Sequence, residues 1–100
     1  MEPIHDKAEV VMDLVDEFVA FSFSERSSFD AMNENDGLVI KLQTNGEDPR
    51  AITIHLHHYL LADILKGWAR SLASMTTMEP RHKLQLLTAV KSVENELLRL

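Results

Sequence analysis

Apolar positions recur along this chain with two different periods. From the N-terminus, Ile4, Ala8, Val11, Val15 and Phe18 are spaced by three or four residues. Glu2, Asp6, Glu9, Asp13 and Asp16 keep a similar rhythm on another side. Side chains three and four apart share one face of an α-helix. The spacing therefore predicts an N-terminal helix, running to about Phe21, with one buried flank and one anionic flank. Pro3 suits a first helical turn, and Asp6 with Glu9 offers a second start at capping-box spacing. Phe21-Ser22-Phe23-Ser24 alternates, which fits either a helix end or a short strand. Residues 24–37 read as a connection, with a single helical turn over Ser28 to Met32 and a turn at Asn35-Asp36-Gly37.

The period then changes to two. Leu38, Ile40 and Leu42 alternate with Val39, Lys41 and Gln43, and Ile52, Ile54 and Leu56 alternate with Thr53, His55 and His57. Each run predicts a strand with one apolar face. Asn45-Gly46, within the Thr44 to Pro49 stretch, makes the loop of a hairpin. Two strands alone are marginal, so a helix must cover the apolar face.

The helical period returns after the hairpin. Leu61, Leu65, Trp68, Leu72 and Met75 form one stripe of a helix over 58–75. A break at Thr76 to Pro80 precedes a third helix over 80–99, striped by Leu86, Val90, Val93, Leu97 and Leu100. The short connection predicts that these two helices pack antiparallel. The expected fold class is thus α+β, a single domain over 1–100 in the order α-β-β-α-α. It places an antiparallel hairpin against an antiparallel helix pair and the N-terminal helix. Amphipathic helices in a small domain are expected to bury these faces. Even so, one hairpin and one other helix offer little cover for the two broad C-terminal stripes. A leftover apolar patch there would mark a partner site or a homodimer seam.

Composition narrows the function classes. One hundred residues fit one modest domain. The chain has no cysteine, which removes disulfides, thiolate metal sites and cysteine nucleophiles. No apolar run approaches the roughly 18 residues of a membrane span, and Glu2 and Asp6 stand where a signal peptide would be basic. A cytoplasmic protein with no membrane partner is expected. The net charge of −6 is uneven: residues 1–48 hold twelve acids and three bases, and residues 49–100 hold four acids and seven bases. The front half argues against direct contact with nucleic acid.

Candidate chemistry is sparse. His55 and His57 leave the same face of a strand and could share a divalent ion, with His82 or a carboxylate as third ligand. The set is incomplete in the sequence, so both are read as solvent-facing neighbours of Lys41 and Thr53, with no metal or cofactor assigned. Ser22, Ser24, Ser27 and Ser28 lack a nucleophile elbow, and Gly37, Gly46 and Gly67 are too scattered for a phosphate loop. No catalytic residue is assigned and no enzyme is expected. The expected function is a small acidic interaction module. It would act as an inhibitor, immunity or antitoxin-type protein, analogous in class to phage anti-defence proteins. Glu2, Asp6, Glu9, Asp13 and Asp16 would imitate nucleic-acid phosphates towards a basic partner, such as a nuclease or nucleic-acid-binding complex. A homodimeric adaptor joined through the C-terminal helices is the alternative.

Overall fold

The computed structural model describes all of Met1–Leu100. It is a mixed α+β chain with antiparallel sheets and two helices, but it begins with strands. The order is β1 (Glu2–Pro3), β2 (Ala8–Asp13), β3 (Phe18–Phe23), β4 (Ser27–Glu34), β5 (Gly37–Thr44), β6 (Ala51–His57), α1 (His58–Ala73) and α2 (Pro80–Arg99). The expected N-terminal helix is absent, and so is the expected order α-β-β-α-α. The expected connection over 24–37 instead contains the eight-residue strand β4.

The physical reason lies in the residues between the acids. Positions 10–23 contain Val10, Val11, Val15, Val19, Phe18, Phe21 and Phe23, types that favour the pleated backbone. Ala8, Val10 and Met12 pair with Phe23, Phe21 and Val19, so one face of the β2–β3 ribbon is continuously apolar. Electrostatics acts in the same direction. A helix holds acids four apart about 5–6 Å from each other. A strand spreads Glu9 and Asp13 to about 13 Å. The hairpin closes at Val15-Asp16, where Leu14 N–H donates to Glu17 O at 2.8 Å. Only Gly46 has a positive φ, so this turn is made without the left-handed residues that advertise a turn in a sequence.

Two compact units make up the chain, Met1–Leu65 and Lys66–Leu100. In the first, a four-stranded antiparallel sheet runs β1-β4-β5-β6, and β2-β3 forms a separate ribbon. Register places Leu38 opposite Leu56, Ile40 opposite Ile54 and Leu42 opposite Ile52, as the alternation predicts. Phe29 and Ala31 of β4 extend the same apolar face. The ribbon reaches this sheet through β3 and β5. Phe23 is the one large side chain fully buried, at 1% exposure, and Ile4 is the only other buried apolar residue. Serines hold the surrounding turns. Ser27 Oγ accepts from Ser24 N–H at 3.1 Å, and Ser28 Oγ donates to Asn45 Oδ1 at 3.3 Å.

The β4–β5 hairpin turns at Asn35-Asp36, and Gly37 pairs directly with His57. A Cβ on Gly37 would lie 2.2 Å from Leu56 O and 2.8 Å from His57 Cα. Both obstacles are backbone, so an added methyl can be relieved only by moving the strand. Gly37→Ala is expected to destabilise the sheet by about 2 kcal/mol, as overpacking does. That corresponds to a fall of roughly 8–16 °C in the midpoint of thermal unfolding followed by circular dichroism.

In the second unit, α2 is capped by Glu79, whose carboxylate accepts from Arg81 N–H at 3.2 Å and His82 N–H at 3.3 Å. Pro80 opens the helix, where a missing N–H costs nothing. The sequence pattern expects the stripes of both helices to be buried, yet neither α1 nor α2 contributes a buried residue. Within Lys66–Leu100 the two helical stretches are not closely packed on each other. They flank an open groove lined by Trp68, Leu72, Met75, Leu86, Leu87 and Val90. No helix is long and apolar enough to cross a membrane.

Candidate functional site

Two features of the chain can meet other molecules through side chains placed by the fold. The first is the apolar surface of the helices. Along α1 and into the segment after it, Leu61, Leu65, Trp68, Leu72 and Met75 are spaced four, three, four and three apart. Along α2, Leu86, Val90, Val93, Leu97 and Leu100 repeat the same steps. This is the spacing at which helices interlock knobs into holes. Within Lys66–Leu100, ten large apolar residues are left exposed, among them Trp68 at 42%, Val93 at 58% and Leu97 at 65%.

The second feature is a histidine–carboxylate cluster in Met1–Leu65. Strand pleating places His55 and His57 on the solvent side of β6, on the face that also carries Lys41 and Thr53. Their rings stack with centroids 4.6 Å apart and planes 27° apart. Asp36, at the tip of the β4–β5 hairpin, reaches both. Its Oδ1 lies 3.1 Å from His55 Nε2, and its Oδ2 lies 3.4 Å from His57 Nδ1. The Asp36 carbonyl accepts from His58 N–H at 2.9 Å. His58 Nε2 lies 3.0 Å from Asn33 Oδ1, tying the same hairpin from its other strand. The three donor atoms fall within 4.8 Å of one another. The sequence pattern singled out the two histidines but not Asp36. Only pairing of Gly37 with His57 brings the turn to them. His82, the other candidate third ligand, lies 3.6 Å from Glu79 in the other unit.

The five acids of the expected helical stripe occupy four kinds of position. Glu2 is in β1, Asp6 in the bend after it, Glu9 and Asp13 on β2, and Asp16 at the hairpin tip. All five are exposed. Glu9 and Asp13 share a face of the ribbon, and Lys7 lies 3.7 Å from Glu9. The expected anionic flank of a helix is thus replaced by acids spread over β1, the bend after it, β2 and the β2–β3 turn.

Compared with known proteins, the chain matches no family model, no curated protein and no solved structure.

Proposed function

We propose that this chain is a non-enzymatic protein-interaction module that self-associates through the apolar stripes of α1 and α2. The single observation that carries this is the set of ten large apolar residues left exposed within Lys66–Leu100, on stripes that repeat at the spacing of interlocking helices.

A second copy suits the helices in spacing. The first half of α2 carries Arg81 and Lys83 with no acid, and the second half balances Lys91 and Arg99 against Glu94 and Glu96. Two α2 helices related by a two-fold axis and running antiparallel would therefore set a basic end against a neutral one, without like-charge conflict. Light scattering on the purified chain is expected to give 22.8 kDa, twice the 11.4 kDa of one copy. A mass of 11.4 kDa at high concentration would remove self-association and leave the stripes to a different partner.

The acidic surface supports a second reading, as a docking surface for a basic protein. Met1–Leu65 holds thirteen acids against four bases, a net −9. Association of this kind is steered by charge and screened over about 10 Å at 0.1 M salt. Replacing Glu9, Asp13 and Asp16 with Ser is expected to leave thermal unfolding within a few degrees, because exposed changes stay within about 0.5 kcal/mol. The same variant should weaken salt-dependent binding to labelled polylysine, read by fluorescence anisotropy. It should do so more than removal of three acids elsewhere, at Glu25, Glu47 and Asp48. Equal losses in the two variants would mean that Glu9, Asp13 and Asp16 form no docking surface.

A further inference from the structure

We propose that Asp36, His55 and His57 bind one divalent transition-metal ion of the zinc class. Three observations converge on this cluster. The donor set is two imidazole nitrogens and one carboxylate oxygen, which suits Zn²⁺, Co²⁺ or Ni²⁺ and not Mg²⁺ or Ca²⁺, whose sites are built from oxygen.

The spacing is the second observation. Ligand atoms about 2.0–2.1 Å from a tetrahedral zinc stand roughly 3.3 Å from each other. Each imidazole already stands near that length from one Asp36 oxygen, His55 Nε2 at 3.1 Å from Oδ1 and His57 Nδ1 at 3.4 Å from Oδ2. Since all three donor atoms fall within 4.8 Å of one another, no edge must close by more than about 1.5 Å. Rotation of exposed side chains covers such a distance.

The third observation is support from behind the donors. Gly37 lets the hairpin approach β6 at a distance no side chain would permit. The hydrogen bond from His58 N–H to Asp36 O then holds the turn in place. Ligands held by backbone contacts of this sort lose little freedom on binding, which raises affinity. The sheet thus supplies three ligands from two segments and leaves the fourth tetrahedral position for water or a donor group from another molecule. In such a site the ion staples the β4–β5 turn to the end of β6, where α1 begins. The proposal concerns a cluster inside one unit and does not depend on self-association.

The test uses the full chain without a histidine tag, stripped with chelator and dialysed. Zinc chloride is titrated by calorimetry, and unfolding is followed with and without zinc. The expected result is one ion per chain and a rise in the unfolding midpoint of roughly 10 °C at a hundredfold excess over Kd. Cobalt should give the visible absorption of a tetrahedral site, and magnesium should give no heat. Asp36→Asn and His55→Gln should each weaken zinc binding at least about tenfold. His5→Gln and His82→Gln should leave it unchanged. Should Asp36→Asn disturb the hairpin, seen as altered circular dichroism, His55→Gln on the open face of β6 decides the matter alone. The proposal is overturned if zinc gives neither heat nor a midpoint shift at about 0.1 mM. It is equally overturned if His55→Gln binds as the parent does.

Discussion

Phe23→Ala is expected to bring Met1–Leu65 close to unfolding at room temperature. Phe23 is the one large side chain fully removed from water, and Ile4 is the only other buried apolar residue. Truncating a buried Phe typically costs about 3–5 kcal/mol, combining lost transfer energy with the cavity left behind. Small domains are stable by only about 5–15 kcal/mol, and one with so few buried residues belongs at the low end. The midpoint of unfolding should fall by roughly 12 °C at the least, and the urea midpoint should drop with it. Its position explains the size of the effect. Phe23 ends β3 opposite Ala8, on the ribbon face shared with Val10, Met12, Val19 and Phe21. Those neighbours are half-buried or exposed and cannot close over a void. Phe21 is the internal control. It lies on the same face but is partly exposed beside Arg50, whose guanidinium is 5.7 Å from the ring centre. Phe21→Ala should cost well under half as much. Equal effects at the two positions would mean that the ribbon is not anchored through Phe23.

Under the proposed self-association, Val90→Asp with Val93→Asp is expected to leave a monomer. Both residues lie on the α2 stripe, at 54% and 58% exposure, so the isolated chain loses little packing when they change. Valine and aspartate also have similar helix propensities. In a two-fold assembly each substitution occurs twice. Fully burying a Val side chain is worth about 1.5 kcal/mol or more, and only about half of each remains to be buried, so the four substitutions remove at least about 3 kcal/mol. That weakens association by at least about a hundredfold before any cost of burying carboxylates. Light scattering should move from 22.8 to 11.4 kDa while circular dichroism keeps its helical signal. A variant that keeps the dimer mass would place the seam elsewhere. Replacing Lys91 with Ala is the useful contrast, because a charge at the rim affects association far less than an apolar anchor.

Four elements are legible in the chain itself. β5, β6, α1 and α2 each follow a single period over their whole length, and Asn35-Asp36-Gly37, Asn45-Gly46 and Glu79-Pro80 punctuate them. Local periodicity suffices there because nothing competes with it. The boundary residues are less clear. Thr76 and Glu79 stand at capping-box spacing, but Glu79 itself caps α2. The first third of the chain satisfies two periods at once. Ile4, Ala8, Val11, Val15 and Phe18 fit a helix, and Ala8, Val10, Met12, Val19, Phe21 and Phe23 fit two strands. The density of valine and phenylalanine is the signal favouring strands. A turn at Val15-Asp16, with neither Gly nor Asn, conceals it.

Sequence alone therefore determined the chemistry available: an acidic front half, two heptad-spaced apolar stripes, two histidines on one strand face and no cysteine. Tertiary structure decided how those residues are used. Pairing of Gly37 with His57 delivers Asp36 to the histidines, a contact between positions about twenty apart that no local pattern encodes. Pairing within the β2–β3 ribbon spreads the acids that a helix would have aligned. The stripes of α1 and α2 show what burial they require, but burial depends on what else can cover them. Within one chain neither helix has a fully buried residue, and Phe23 and Ile4 are the buried apolar residues elsewhere. Periodicity is a property of neighbouring residues, whereas enclosure is a property of volume and surface, and only the folded chain fixes the second.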